Sequence, residues 1–97
     1  MTSVSISSTA YSLLYGGHFV IEVLVESDEE QYLSYRVYGT GSMSHVSESQ
    51  SSIHYYVKDR YTYWARNGTL GSGTIYVEVL SEASSVIASD SIGMSVS

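Results

Sequence analysis

The chain has 97 residues, 43% hydrophobic and 12% aromatic, with no cysteine, no proline and a formal charge of -6. That size makes one small domain over residues 1–97, held by apolar burial without disulfides or thiolate metal sites. The acidic balance (pI about 4.7) excludes sequence-independent grip on nucleic-acid phosphates, and no apolar run approaches the length of a membrane span.

The opening segment, "MTSVSISSTAYSLLYGG", has neither a basic start nor an adequate apolar stretch for a signal peptide, so the expectation is synthesis in a host cytoplasm. Weak strands "VSIS" (4–7) and "AYSLLY" (10–15) make residues 1–15 an edge strand or an extended arm, before the break at Gly16-Gly17. The period then becomes two. In "HFVIEVLVE" (18–26), Phe19, Ile21, Val23 and Val25 alternate with Val20, Glu22, Leu24 and Glu26. Such alternation sends one row to a core and the other outward.

Ser27–Glu30 reads as a turn, followed by "YLSYRVYG" (32–39) with Leu33, Tyr35 and Val37 on the core row. Gly39-Thr40-Gly41 ends that strand, and the serine-rich "SMSHVSESQSS" (42–52) reads as a mobile loop or a pad that orders on a partner. "SIHYYVK" (52–58) and "YTYWAR" (61–66) flank Asp59-Arg60, as a hairpin or as one bent strand. The Asn67-Gly68-Thr69 sequon reads as a turn. "GTIYVEVL" (73–80) places Ile75, Val77 and Val79 inward, and "SSVIAS" (84–89) and "SIGMSVS" (91–97) close the chain. Seven to eight short strands with no helical stripe predict an all-β fold, an antiparallel immunoglobulin-like β-sandwich.

The segment "HYYVKDRYTYWARNGT" (54–69) carries three of the four basic residues, Lys58, Arg60 and Arg66, and the only tryptophan, Trp64. Cations interleaved with aromatics suit nucleic acid, a sugar or a protein, and the net charge opposes the first. Period two puts Tyr61 and Tyr63 on one face and Trp64 on the other, so a single three-ring sugar platform would need a bulge. The outward rows of the three clearest strands also keep Val20, Leu24, Tyr32, Tyr38, Tyr76 and Leu80, which predicts contact with another chain. The expected partner-binding residues are Arg60, Tyr61, Tyr63, Trp64 and Arg66.

No catalytic residue and no metal ligand is assigned. His18, His45 and His54 lack zinc spacing, and no Gly-x-Ser-x-Gly elbow supports a triad. Glu26, Asp28, Glu29, Glu30, Glu82 and Asp90 offer carboxylates for calcium only if loops converge, and no EF-hand spacing is present. They read as solvated charge. No cofactor is expected, and the chain does not read as an enzyme.

"YRVYGTG" (35–41), followed after a variable stretch by "NGTLGSGTIYVEVLSE" (67–82), resembles Calx-beta-like and related immunoglobulin-like modules, which recur in bacterial surface proteins and bacteriophage virion proteins. The likeness covers about half the chain. Calcium-binding members carry an acidic, glycine-containing segment before the final strand, whereas "SEASSVIASDSIG" (81–93) holds only Glu82 and Asp90, well apart. The resemblance implies a virion structural protein, a capsid decoration (cement) protein binding shell or fibre subunits as a homo-oligomer. The alternative it leaves is a glycan- or receptor-binding module of a phage tail or bacterial surface fibre.

Overall fold

In the computed structural model, which describes residues 1–29 and 31–97, the period-two rows become the two inner faces of a sandwich. The strands are β1 (Thr2–Ser8), β2 (Ser12–Leu13), β3 (His18–Ser27), β4 (Leu33–Gly41), β5 (Ser47–Ile53), β6 (Tyr56–Trp64), β7 (Gly71–Leu80) and β8 (Val86–Val96). A 3-10 turn, Ala65–Asn67, follows β6, and the Asn67-Gly68 step lies at its end. One sheet has the order β1-β3-β6 and the other β2-β8-β7-β4-β5. Among the described residues, all pairings are antiparallel except the two-residue β2–β8 contact. The fold is an antiparallel, immunoglobulin-like β-sandwich.

The core is the set of side chains the alternation sends inward. Phe19, Ile21, Val23 and Val25 from β3 face Ile75, Val77 and Val79 from β7, all with no residual exposure. Leu33, Tyr35 and Val37 of β4 complete the layer at 1–2%. Full burial of each such side chain contributes about 1.5–3 kcal/mol. That supply matters in a small chain with no covalent staple.

Three segments differ from the sequence expectation. Residues 42–52 are not one long loop: a tight turn through residues 42–46 buries Met43 and Val46 and leads into edge strand β5. Met43 N donates to the Thr40 carbonyl (3.1 Å) and Val46 N to the Met43 carbonyl (3.0 Å), which closes the turn. Gly39 permits it, since a Cβ there would lie 1.8 Å from the Met43 carbonyl oxygen, and Gly41 takes a φ of +61. Residues 52–66 form neither a hairpin nor a bend at Asp59-Arg60; β6 runs straight through that dipeptide. The two tail strands are likewise one, β8, continuous through Asp90-Ser91.

Residues 2–8 pair within the chain as β1, an edge strand along β3 with Val4 opposite Val25 and Ile6 opposite Val23. The sheets meet along two lateral seams. On one, the Ile6 N–H donates to Asp90 Oδ2 at 3.0 Å, so β8 latches β1 across the sandwich. On the other, side chains of β6 reach β4 and β5, and these belong to the site.

Candidate functional site

Strand β6 places its odd and even residues in different environments. Val57, Asp59, Tyr61 and Tyr63 lie opposite the buried row of β3, and Tyr56, Lys58, Arg60, Thr62 and Trp64 lie opposite its outer row. The five residues predicted to bind a partner are therefore not brought together on one surface. Arg60, Trp64 and Arg66 are exposed, whereas Tyr61 and Tyr63 point into the second seam.

That seam is a wall of tyrosines and acids. The Tyr35 hydroxyl donates to Asp59 Oδ2 at 2.5 Å and, having one proton, accepts from the Tyr61 hydroxyl. The Tyr63 hydroxyl donates to the Glu48 carboxylate and accepts the Ser47 N–H at 3.4 Å, tying β6 to the edge of β5. Tyr63 also stacks on Phe19, with ring centroids 6.0 Å apart. Burial pushes the Tyr35, Tyr61 and Tyr63 hydroxyls above the usual tyrosine range. Neighbouring Asp59 and Glu48, which repel a phenolate, add to it. All three stay protonated, and they seal the core.

The outward row makes a different surface. Arg60 Nε meets Glu22 Oε2 at 2.8 Å and Lys58 Nζ approaches the same carboxylate at 3.8 Å. The Arg60 hydrogen bond holds the Glu22 carboxyl below its usual value. Arg36 pairs with Glu78 on the other sheet at 2.7 Å. Among the described residues, Arg66 is the one basic side chain with no carboxylate partner. It lies over the Trp64 ring instead, 4.7 Å from its centroid, and His18 packs against the same ring at 5.1 Å. Trp64 keeps 39% of its surface exposed.

Beside Trp64 the end of the sandwich is apolar. The Ala65 N–H donates to the Gly17 carbonyl (2.8 Å), which holds the β2–β3 loop against the 3-10 turn. An open depression of about 580 Å³ is lined there by Tyr15, Gly68, Thr69, Leu70 and Ser97. Leu70 in that lining is 65% exposed, and Leu14, the residue before Tyr15, is 74% exposed. The composition of residues 10–15 and 67–70 contained this patch, but nothing local in sequence joins them.

The other singled-out groups are dispersed. His18 is on the outer face; His45 sits in the β4–β5 turn against Tyr63 at 5.8 Å; His54 follows β5 and packs on Tyr32 at 4.7 Å. Neither ring nitrogen of His45, nor the Ser42 hydroxyl beside it, has a partner among the described residues. Glu26, Asp28 and Glu29 are exposed, Asp28 meets the terminal amine, Glu82 lies in the β7–β8 turn, and Asp90 faces Ile6. Glu30 lies outside the described residues. Among the described residues no three His, Asp or Glu side chains converge on a point that could hold a metal ion. On the large sheet's outer face Tyr38 and Tyr76 stack with centroids 5.1 Å apart.

No family model and no characterised protein matches the chain by sequence. Its structure is similar to the CARDB domain of a Pyrococcus furiosus protein in complex with di-metal ions. That match has 16% identity and a TM-score of 0.69, and covers 100% of this chain and 88% of the other. A Niemann-Pick type C2 protein from the Japanese carpenter ant is similar over 99% of this chain and 92% of its own, at 10% identity and a TM-score of 0.60. A β-glucosidase from Listeria innocua is similar at 14% identity and a TM-score of 0.55, where 98% of this chain corresponds to 16% of the enzyme. At such identities the likeness shows the fold alone, an immunoglobulin-like β-sandwich.

Proposed function

We propose that this domain is a non-enzymatic assembly module that docks on protein subunits through the outer row of β6 and the apolar end beside it. One observation carries the reading. On a protein of net charge -6, the exposed Trp64 carries Arg66 over its ring, and the loops that hold the exposed Leu14 and Leu70 meet next to it through the Ala65–Gly17 hydrogen bond. An exposed aromatic and arginine beside apolar surface is the composition of a protein-contact centre. The resemblance to virion modules favours a phage particle as the setting. There the domain is a decoration protein, a homo-oligomer bound on shell or fibre subunits. A sugar platform is less well supported, because Arg66 and His18 already pack on the Trp64 ring.

Co-sedimentation with the assembled shells or fibres encoded beside this chain tests the reading. The parent protein is expected to sediment with them, and Trp64→Ala to lose at least about 30-fold in affinity while staying folded, as a contact hot spot does. A parent protein indifferent to every such assembly overturns it.

A further inference from the structure

Strand β6 is an edge strand whose backbone is open along its length. Ser27 N donates to the Tyr55 carbonyl and Ala65 N to the Gly17 carbonyl, both at 2.8 Å, which sets the parity of the ladder between them. In an antiparallel pair, alternate residues exchange both bonds with the partner and those between direct both groups away. Val57, Asp59, Tyr61 and Tyr63 therefore bond to β3, and Tyr56, Lys58, Arg60, Thr62 and Trp64 aim N–H and C=O outward. Among the described residues, nothing meets those outward groups.

Other edges of the two sheets are occupied at some point. Asp90 takes the Ile6 N–H of β1, β2 pairs with the end of β8, and the Tyr63 hydroxyl takes the Ser47 N–H of β5. β6 has no such cover. Its nine residues contain no proline, and its register runs unbroken from His18 opposite Trp64 to Glu26 opposite Tyr56. A long, regular edge of this kind is a template for another strand.

The charges on that edge select the occupant. Three of the four cations of the chain, Lys58, Arg60 and Arg66, lie on β6 or in the turn after it. Glu22 and Glu26, which lie across from this row, stand one strand back on β3, so the charges carried on the outward row of the edge itself are the cations Lys58 and Arg60. Pairing with β6 of a second copy is disfavoured in the registers centred on Lys58, on Arg60 or between them, which set cation opposite cation, and off-centre registers leave both cations without a carboxylate from the added strand. We propose that β6 is a strand-addition site for an extended acidic segment of a partner protein, lying along Tyr56–Trp64 with carboxylates beside Lys58 and Arg60. This rests on the reading of the β6 rim as a protein contact and specifies how the contact is made.

Amide hydrogen exchange on the full chain tests it, with two peptides as long as β6 for probes, one alternating glutamate and valine and one alternating lysine and valine. In the free protein the amides of Lys58, Arg60 and Thr62 exchange fast and those of Val57, Asp59 and Tyr61 slowly. With the glutamate peptide at ten times its Kd, the three fast amides slow about tenfold. Thr62→Pro, which removes one outward N–H, weakens binding, and Thr62→Ala does not; should the proline variant fail to fold, the exchange pattern of the parent decides. Strand addition is overturned if the peptide binds with those amides unprotected, or if the lysine peptide binds equally. It is equally overturned if no peptide binds, if the protein dimerises through β6, or if a single-stranded oligonucleotide protects the amides better. Shell binding lost in Trp64→Ala but kept in Thr62→Pro rejects strand addition alone, whereas a parent indifferent to shells rejects the rim itself.

Discussion

Replacing Tyr35 by phenylalanine deletes one oxygen from the wall between β4 and β6, and the effect should depend on pH in a calculable way. The Tyr35 ring is 1% exposed, and its hydroxyl serves both Asp59 and Tyr61. Losing a hydrogen bond to a carboxylate costs about 2 kcal/mol at neutral pH, which lowers Tm by roughly 8–16 °C in a domain of this size. Burial first, and Asp59 next, keep the folded Tyr35 protonated well above the usual tyrosine value. The unfolded chain releases that proton near pH 10, so the stabilisation is complete below pH 10 and declines as pH rises further. One unit above, at pH 11, the decline from Tyr35 is about 1.4 kcal/mol. Phenylalanine has no proton to lose, and Tyr63 contributes alike to both proteins. Tyr61, whose bond to Tyr35 lowers its value, is held no less protonated in the variant, so the decline from Tyr35 limits how far the two proteins converge. The deficit of Tyr35→Phe should therefore shrink from about 2 kcal/mol at pH 8 toward about 0.6 kcal/mol at pH 11. Urea unfolding at both values, followed by far-UV circular dichroism, measures it. A deficit that stays constant between the two would refute the assignment of Tyr35 as a buried, acid-flanked hydroxyl.

Three further substitutions or additions check other parts of the structure. Gly39→Ala sets a methyl 1.8 Å from the Met43 carbonyl oxygen, so it should cost about 3 kcal/mol or more, or abolish folding, as judged by denaturant midpoint. Asp90→Ala removes the acceptor of the Ile6 N–H and should cost about 1.5–3 kcal/mol, while Asp90→Asn, which keeps an oxygen, costs less. Calcium in excess should leave Tm unchanged, because no three carboxylates converge among the described residues and a bound ion would raise it.

The three strands with apolar alternation, β3, β4 and β7, were legible because every second residue is Val, Ile, Leu, Phe or Tyr and each row meets a single environment. β5 was not. As an edge strand it buries only Ile53 and carries Glu48 and Gln50 where apolar residues would signal a strand. β6 and β8 were each divided at an aspartate, for one physical reason. Asp59 and Asp90 both occupy inward positions at the lateral seams, where Tyr35 and the Ile6 N–H receive them. Without those partners in view, an aspartate inside a strand reads as a turn. The face assignments of Tyr61, Tyr63 and Trp64 followed from period two alone. The apolar end did not, because it draws on loops 56 positions apart, at Leu14 and Leu70.

The latch between Ile6 and Asp90 spans 84 positions of chain. Closing a loop of that length carries an entropic cost of about 4 kcal/mol before any constant, so it does not form early in folding. During synthesis the first strand emerges long before its counterpart, and it lies along β3 with one backbone edge bare until β8 is in place. β8, made some 84 positions after β1, is thus the strand that protects it, and the half-made sandwich is the species most exposed to pairing with the wrong neighbour.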